Sequence, residues 1–355
     1  SQHALARDSL RETLAAAYDL ERLAGKVAHG TADAGDLLRV KETLQILPAV
    51  VETITNNPGL VDSPVAEIVE EPDRAAVEDL ASELETALVE DPPKTLTQGG
   101  LFEHGYDDRL DELIDGYEEA TEWIDGLADR EKRRLGITHL QTGRNQTDGY
   151  YIQVGRSETD AVPTEYREIK TLKNSKRYTT DELEEREREI LRLEERRGEL
   201  ERRLFEELRE GVADDAELLQ DCGRALAEVD VLCSQAVHAA SNGWTRPTIG
   251  GDGLDIDGGR HPVVEQTTEF VPNDTHLEPD RRFQIVTGPN MSGKSTYLRQ
   301  VALIVLLAQV GSFVPADHAR VEPVDGIFTR VGALDELAQG RSTFMVEMQE
   351  LSNIL

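Results

Sequence analysis

The chain has 355 residues, long enough for two or three domains with substantial cores, and sets 38 Lys plus Arg against 70 Asp plus Glu, a net charge of −32. Its 38% apolar residues recur at regular period, which excludes a disordered chain, and its longest wholly apolar run, within Val301–Ala308, excludes an ordinary transmembrane helix. No signal-peptide pattern occupies Ser1–Leu10, and two cysteines, Cys222 and Cys233, cannot build a disulfide framework, so a cytoplasmic setting is expected with no membrane partner.

Residues 1–60 read as helices, with Leu10, Leu14, Tyr18, Leu20 and Leu23, then Leu37, Leu38, Leu44 and Val50, at helical steps; Pro48 and Asn56-Asn57-Pro58-Gly59 punctuate them. Val65–Leu88 is a further amphipathic stretch. Tyr106–Leu135 carries one apolar stripe and predicts a single long helix. From Gly136 to Tyr178 the period changes: His139–Arg144 and Tyr150–Val154 read as strands. Thr179-Thr180-Asp181-Glu182 has capping-box spacing and opens a second long helix through Leu208, which continues to Ser241. Two long helices flanking a β-rich insert predict an antiparallel helical hairpin with a β tip. Asn242–Gly259 is Gly-rich and irregular; beyond it Phe283–Thr287 reads as a buried strand, Ser295–Gln309 as a helix and Gly326–Val331 as another strand. The expected organisation is therefore α plus α/β: 1–135 helical core and first arm, 136–178 β-rich insert, 179–241 second arm, 242–355 the beginning of an α/β domain.

Charge is not evenly spread. The chain has 8 Lys against 30 Arg, and acid-rich, Lys-poor surfaces suit molar salt, where the Debye length falls to roughly 3 Å. An acidic surface for a basic partner is the rival reading. Against that background Arg167, Lys170, Lys173, Lys176 and Arg177 cluster within eleven residues with only Glu168 opposing, and Arg144, Asn145 and Asn174 add donors. Donors of this kind on a projecting element fit phosphate contact.

Gly288-Pro289-Asn290-Met291-Ser292-Gly293-Lys294-Ser295 fits the phosphate-loop pattern. Its glycines let backbone N–H groups form an anion nest, and the following helix adds its positive end. Lys294 then reaches the β- and γ-phosphates, and Ser295 ligates Mg²⁺. Hydrolysis also needs a carboxylate pair after an apolar strand. Nothing between Ala316 and Leu355 fits: Asp335-Glu336 follows Gly332-Ala333-Leu334. The general base is therefore not in this chain, and the chain is expected to turn over no ATP.

Thr287 to Gln300, with Asn-Met inside the phosphate loop, resembles the MutS family of DNA mismatch repair ATPases. Ile327–Ala333, Gly340–Met348, Gly259–Glu265, Phe270–Asp274, Gly149–Ile152, Thr171–Asn174 and Asp19–Leu23 extend the likeness in the family's order. The resemblance implies a P-loop ATPase domain of ABC type, a lever of two long helices, and a clamp closing on double-stranded DNA through Arg144, Asn145, Arg167, Lys170, Lys173, Asn174, Lys176 and Arg177. It implies ATP or ADP and Mg²⁺ as cofactors, with Phe270 stacking on adenine and Gly288–Thr296 cradling the phosphates. Ser342 and Thr343 fall in the loop presented across a homodimer to the partner's nucleotide, and a MutL-type protein is a further expected partner. The family's mismatch reader carries Phe-x-Glu, whereas Phe102-Glu103 and Phe205-Glu206 are adjacent pairs. The chain therefore reads as a fragment holding core, lever, clamp and the first part of the ATPase, acting on DNA in a nucleoid-associated role. Three other readings stay open: a MutS-like paralogue acting in recombination or on branched DNA, a chromosome-maintenance type of clamp, and an interaction scaffold with a vestigial loop.

Overall fold

A computed structural model describes residues 3–93, 99–145, 147–289, 292–329, 348 and 352. The architecture is mixed: helices first, a β-sheet inserted among them, then a second sheet with one helix against it. α1 (Ala4–Leu14), α2 (Leu20–Ala28) and α3 (Ala34–Thr55) come first. Their starts are written locally. Asp19 accepts from Arg22 N at 2.9 Å, and Asp33 and Asp36 cap each other reciprocally. Pro48 does not punctuate: α3 runs through it. Proline in a helix removes one backbone hydrogen bond, but here Leu44, Leu47, Val50 and Val51 on the same helix are buried, and tertiary burial outweighs local propensity.

The stretch from Val65 to Leu88 is two helices, α4 (Pro64–Glu70) and α5 (Arg74–Ala87), separated by Pro72 and recapped by Asp73. The long helix expected over Tyr106–Leu135 is likewise two, α6 (Asp108–Asp125) and α7 (Leu127–Leu135), divided at Gly126. Glycine is a poor interior helix residue and favours the break there.

The insert is a four-stranded antiparallel sheet: β1 (Leu140–Asn145), β2 (Gly149–Gly155), β3 (Arg167–Thr171) and β4 (Ser175–Thr179), in spatial order β1-β2-β4-β3. α8 (Asp181–Asp214) follows directly, 34 residues or about 50 Å at 1.5 Å per residue. Its cap is Thr180, whose hydroxyl accepts from Leu183 N at 3.1 Å. The expected box on Thr179 and Glu182 is displaced by one residue, because Thr179 ends β4 and is buried. α6 and α8 run antiparallel, with Gly116 opposite Leu193 and Ala120 and Ile124 beside Ile190 and Leu183. That core continues into the sheet through Leu140, Ile152, Val154 and Tyr178.

α9 (Ala216–Asn242) precedes the second sheet. Its strands are β5 (Thr248–Ile249), β6 (Leu254–Gly259), β7 (Asn273–Leu277) and β8 (His318–Val321), in order β5-β8-β6-β7, with α10 (Lys294–Gln309) against one face. β5 and β8 are parallel and the other pairs antiparallel. Ile256 of β6, Ala319 and Val321 of β8 and Ile304 of α10 share its core. Asn242–Gly259, expected to be irregular, therefore contributes two strands. Phe283–Thr287, expected as a buried strand, forms no strand with the described residues, and Phe283 is 81% and Ile285 75% exposed. Residues 326–329 form no strand either. A strand needs neighbours to supply its ladder, and no described strand pairs with these segments.

The chain divides into two compact units, 12–227 and 1–11 with 228–355; the divisions fall inside α1 and α9. Among the described residues no helix is long and apolar enough to cross a membrane.

Candidate functional site

Two sets of sequence-predicted residues are brought together, one in each unit. In the second unit the loop from Gly288 leads into α10. Gly293 has φ +87°, a left-handed conformation that glycine takes at little cost, and immediately precedes Lys294. The first-turn N–H groups of α10 have no intrahelical partners and carry the helix's partial positive charge. Lys294 Nζ donates to the carbonyls of Gly288 at 2.8 Å and Pro289 at 2.7 Å, so the loop curls over its own lysine. A Cβ at Gly288 would lie 2.8 Å from Ser292 Oγ.

A cleft of about 760 Å³ opens beside this loop, lined by Phe270, Asn273, Thr287, Gly293, Lys294 and Thr296 among others. Its size is that of a small-molecule pocket. Phe270 is half-buried; Ser295 is exposed on the first turn of α10. Asn290, Met291, Ser342 and Thr343 lie outside the described residues.

In the first unit the predicted basic residues share the insert sheet, but most are already engaged. Arg167 pairs with Glu184 at 2.5 Å and Asp181 at 3.3 Å. Lys176 pairs with Glu168 at 2.8 Å. Lys170 and Arg177 both reach Asp148, at 3.6 and 2.7 Å, so Glu168 is not the lone opposing acid. β-Sheet pairing, invisible to linear spacing, brings Asp148 across. Asn145 donates to Asp148 at 2.9 Å and, with Arg177, holds that carboxyl below its usual range. The lysine's hydrogen bond does the same for Glu168. Arg177 also covers the Tyr151 ring at 4.0 Å and Arg144 the Tyr150 ring at 5.1 Å. Lys173 and Asn174 sit exposed in the β3–β4 turn, and their carbonyls accept from Arg156 at 3.0 and 3.1 Å. Among the described residues no carboxylate lies within ion-pair distance of Lys173 or Arg144. Residues 136–178 hold seven Lys or Arg against five Asp or Glu, a net positive insert in a chain of −32.

Comparison with known proteins bears on both sets. A family model described as MutS family domain IV matches residues 105–196, and one described as MutS domain V matches 284–355. DNA mismatch repair protein MutS 1 of Halobacterium salinarum is 65% identical over 99% of this chain and 41% of that protein. MutS 1 of Haloarcula marismortui is 64% identical over 100% of this chain and 39% of that protein. The chain belongs to the MutS family. DNA mismatch repair protein MutS of Thermus aquaticus, at 47% identity over 98% of the chain, is a more distant member. The chain spans about two fifths of the length of these MutS relatives.

The domain IV match takes in α6, α7, the insert sheet and the start of α8, and the domain V match takes in the phosphate loop and α10. Motif reading of this MutS segment missed Tyr297. Its hydroxyl lies 2.9 Å from Thr275 Oγ1 and 3.1 Å from Gln284 Oε1, fastening α10 to β7 beside the cleft. Its position three residues after Lys294, one helical turn on, was the available signal. Asp148 was missed because its ion pairs with Lys170 and Arg177 cross the sheet and do not show in linear spacing.

Proposed function

We propose that this chain is the core, lever, clamp and first ATPase segment of a MutS-type mismatch repair protein that couples nucleotide binding to closure on duplex DNA. One observation carries the nucleotide half: Phe270 and the phosphate loop, 18 residues apart, line a single cleft. Phe270 stacks on adenine there. Lys294 exchanges its two loop carbonyls for the β- and γ-phosphates, a stronger charge-assisted contact. Mg²⁺ fits the donor set only partly: Ser295 offers one hydroxyl, and when bound the ion screens the triphosphate charge. The residues here bind and orient nucleotide; activation of water needs a carboxylate that 316–355 do not supply in the expected pattern.

The clamp half rests on the net-positive insert. Arg144, Lys173 and Asn174 are exposed and meet backbone phosphate first. Lys170, Lys176, Arg167 and Arg177 must exchange a carboxylate for a phosphate, so binding is weak, salt-dependent and without base preference. Relatives in Halobacterium and Haloarcula support the reading of the acidic, Lys-poor surface as adaptation to a salt-rich cytoplasm. Homodimerisation, with Ser342 and Thr343 facing the partner's nucleotide, and recruitment of a MutL-type protein complete the proposal. The test is calorimetric titration with ADP and ATP in molar KCl. Saturable binding weakened by both Phe270→Ala and Lys294→Ala supports it; a flat titration, or binding indifferent to both changes, refutes it.

A further inference from the structure

The turn that brings Phe270 to the cleft has little to hold it. Among the described residues, the one hydrogen bond reaching residues 270–272 runs from Asn273 Nδ2 to the Val271 carbonyl, at 2.9 Å. A carbonyl only accepts, so this bond fixes which end of the Asn273 amide is nitrogen. The same nitrogen lies 3.4 Å from the side-chain oxygen of Gln300, and the need for an acceptor there fixes the Gln300 amide in turn.

Gln300 is unusual for its place. It stands on α10, six residues after Lys294, and its side chain is fully buried. Its Nε2 has no hydrogen-bond partner among the described residues. An unpaired buried amide nitrogen costs more than an apolar side chain of similar shape, so stability alone does not account for a glutamine here. Space is nevertheless kept for it: a Cβ on Gly259, which pairs with Asn273 across β6 and β7, would come within 2.5 Å of that nitrogen. The bond that Gln300 does make is to the cleft wall, because Asn273 lines the cleft together with Phe270. Tyr297, one turn earlier on the same face of α10, fastens Thr275 of the same strand. The helix that opens with Lys294 therefore grips the Phe270 side of the cleft at two successive turns.

We propose that Gln300 is a positioning residue for the base side of the nucleotide cleft. Acting through Asn273, it keeps the Phe270 turn at a fixed distance from the helix that carries Lys294, so that base and phosphates are held together. The inference rests on the reading of this cleft as a nucleotide site, and adds to it a residue outside the cleft lining.

The experiment compares a ligand with a base and one without. Gln300→Met keeps the length of the side chain and removes both polar atoms. Calorimetry in molar KCl should show ADP binding weakened about 2–10-fold, the loss of one neutral hydrogen bond. Binding of inorganic tripolyphosphate, read from its elevation of the melting temperature, should be unchanged, whereas Lys294→Ala should weaken both ligands. The ligand-free melting temperature of Gln300→Met should hold or rise, because an unpaired buried nitrogen is gone; a purely structural glutamine requires it to fall. Asn273→Ala should weaken ADP at least as much, and adding Gln300→Met to it should cost nothing further, since the two residues act in series. Unchanged ADP affinity in folded Gln300→Met, equal losses for ADP and tripolyphosphate, or additive losses in the double variant would overturn the proposal. A wild-type protein that binds no ADP removes the nucleotide reading itself, and this inference with it.

Discussion

The two sheets of this molecule stand at opposite ends of a scale of self-sufficiency. The insert sheet closes its ladders within 40 consecutive residues, β1 to β4, and its core of Leu140, Ile152, Val154 and Tyr178 is met by the two helices that flank it in sequence. The sheet beside the phosphate loop draws strands from positions 248 to 321, and the apolar segment Phe283–Thr287 finds no ladder among the described residues. Local chain order supplies the partners of the first sheet. The second depends on partners distant in sequence, which local patterning cannot reveal.

The largest test of that contrast is packing. Ile152→Ala, at a side chain with no exposure, should destabilise the first unit by about 2–5 kcal/mol. Ile285→Ala, at 75% exposure, should cost under about 0.5 kcal/mol in this chain. Urea unfolding followed by circular dichroism measures both, and equal costs would break the comparison. Next in size, Lys294→Ala should weaken nucleotide binding roughly tenfold to a hundredfold, the loss of one or two hydrogen bonds to charge, while leaving the unfolding midpoint of the insert sheet unchanged. A smaller effect separates engaged from unengaged bases. Lys173→Ala should lower the slope of log K against log salt for duplex DNA by about 0.9. Glu168→Gln, which releases Lys176, should raise DNA affinity. Fluorescence anisotropy at several KCl concentrations reads both.

The smallest expected effect is on pH. The carboxyls of Asp148 and Glu168 are held below their usual range, by the Asn145 and Lys176 hydrogen bonds first. Groups with a lowered folded pKa stabilise above the ordinary carboxylate pKa of about 4 and lose that contribution as pH falls through the folded value. Melting of the insert should therefore drop on acidification below about pH 4, and Asp148→Asn should flatten that acid limb. An unchanged acid limb would show that these pairs add nothing to the sheet.

Legibility in the sequence follows the same division. The helix start at Thr180, the strands Leu140–Asn145 and Gly149–Gly155, and the lysine-headed helix after Gly293 depend on neighbours within a few residues and were legible to within one or two positions, whereas residues 1–60 were legible as helical without the starts at Asp19 and Asp33. Pro48 misled because burial on α3 outweighs one missing hydrogen bond. Gly126 was hidden inside an unbroken apolar stripe. At the candidate site, the phosphate loop was legible as a motif and Phe270 only through family likeness. Tyr297 and Asp148 act through partners 22 and 29 residues away, Thr275 and Arg177, and only the fold discloses them.

The most direct test of a nucleotide-responsive clamp uses the full-length protein on end-blocked duplex DNA, comparing the salt-resistant bound fraction before and after ATP. The account predicts that ATP changes this fraction in the wild type and leaves it unchanged in Lys294→Ala, with Arg144→Ala plus Lys173→Ala lowering it in both nucleotide states. An ATP response that persists in Lys294→Ala, or none in the wild type, would contradict it.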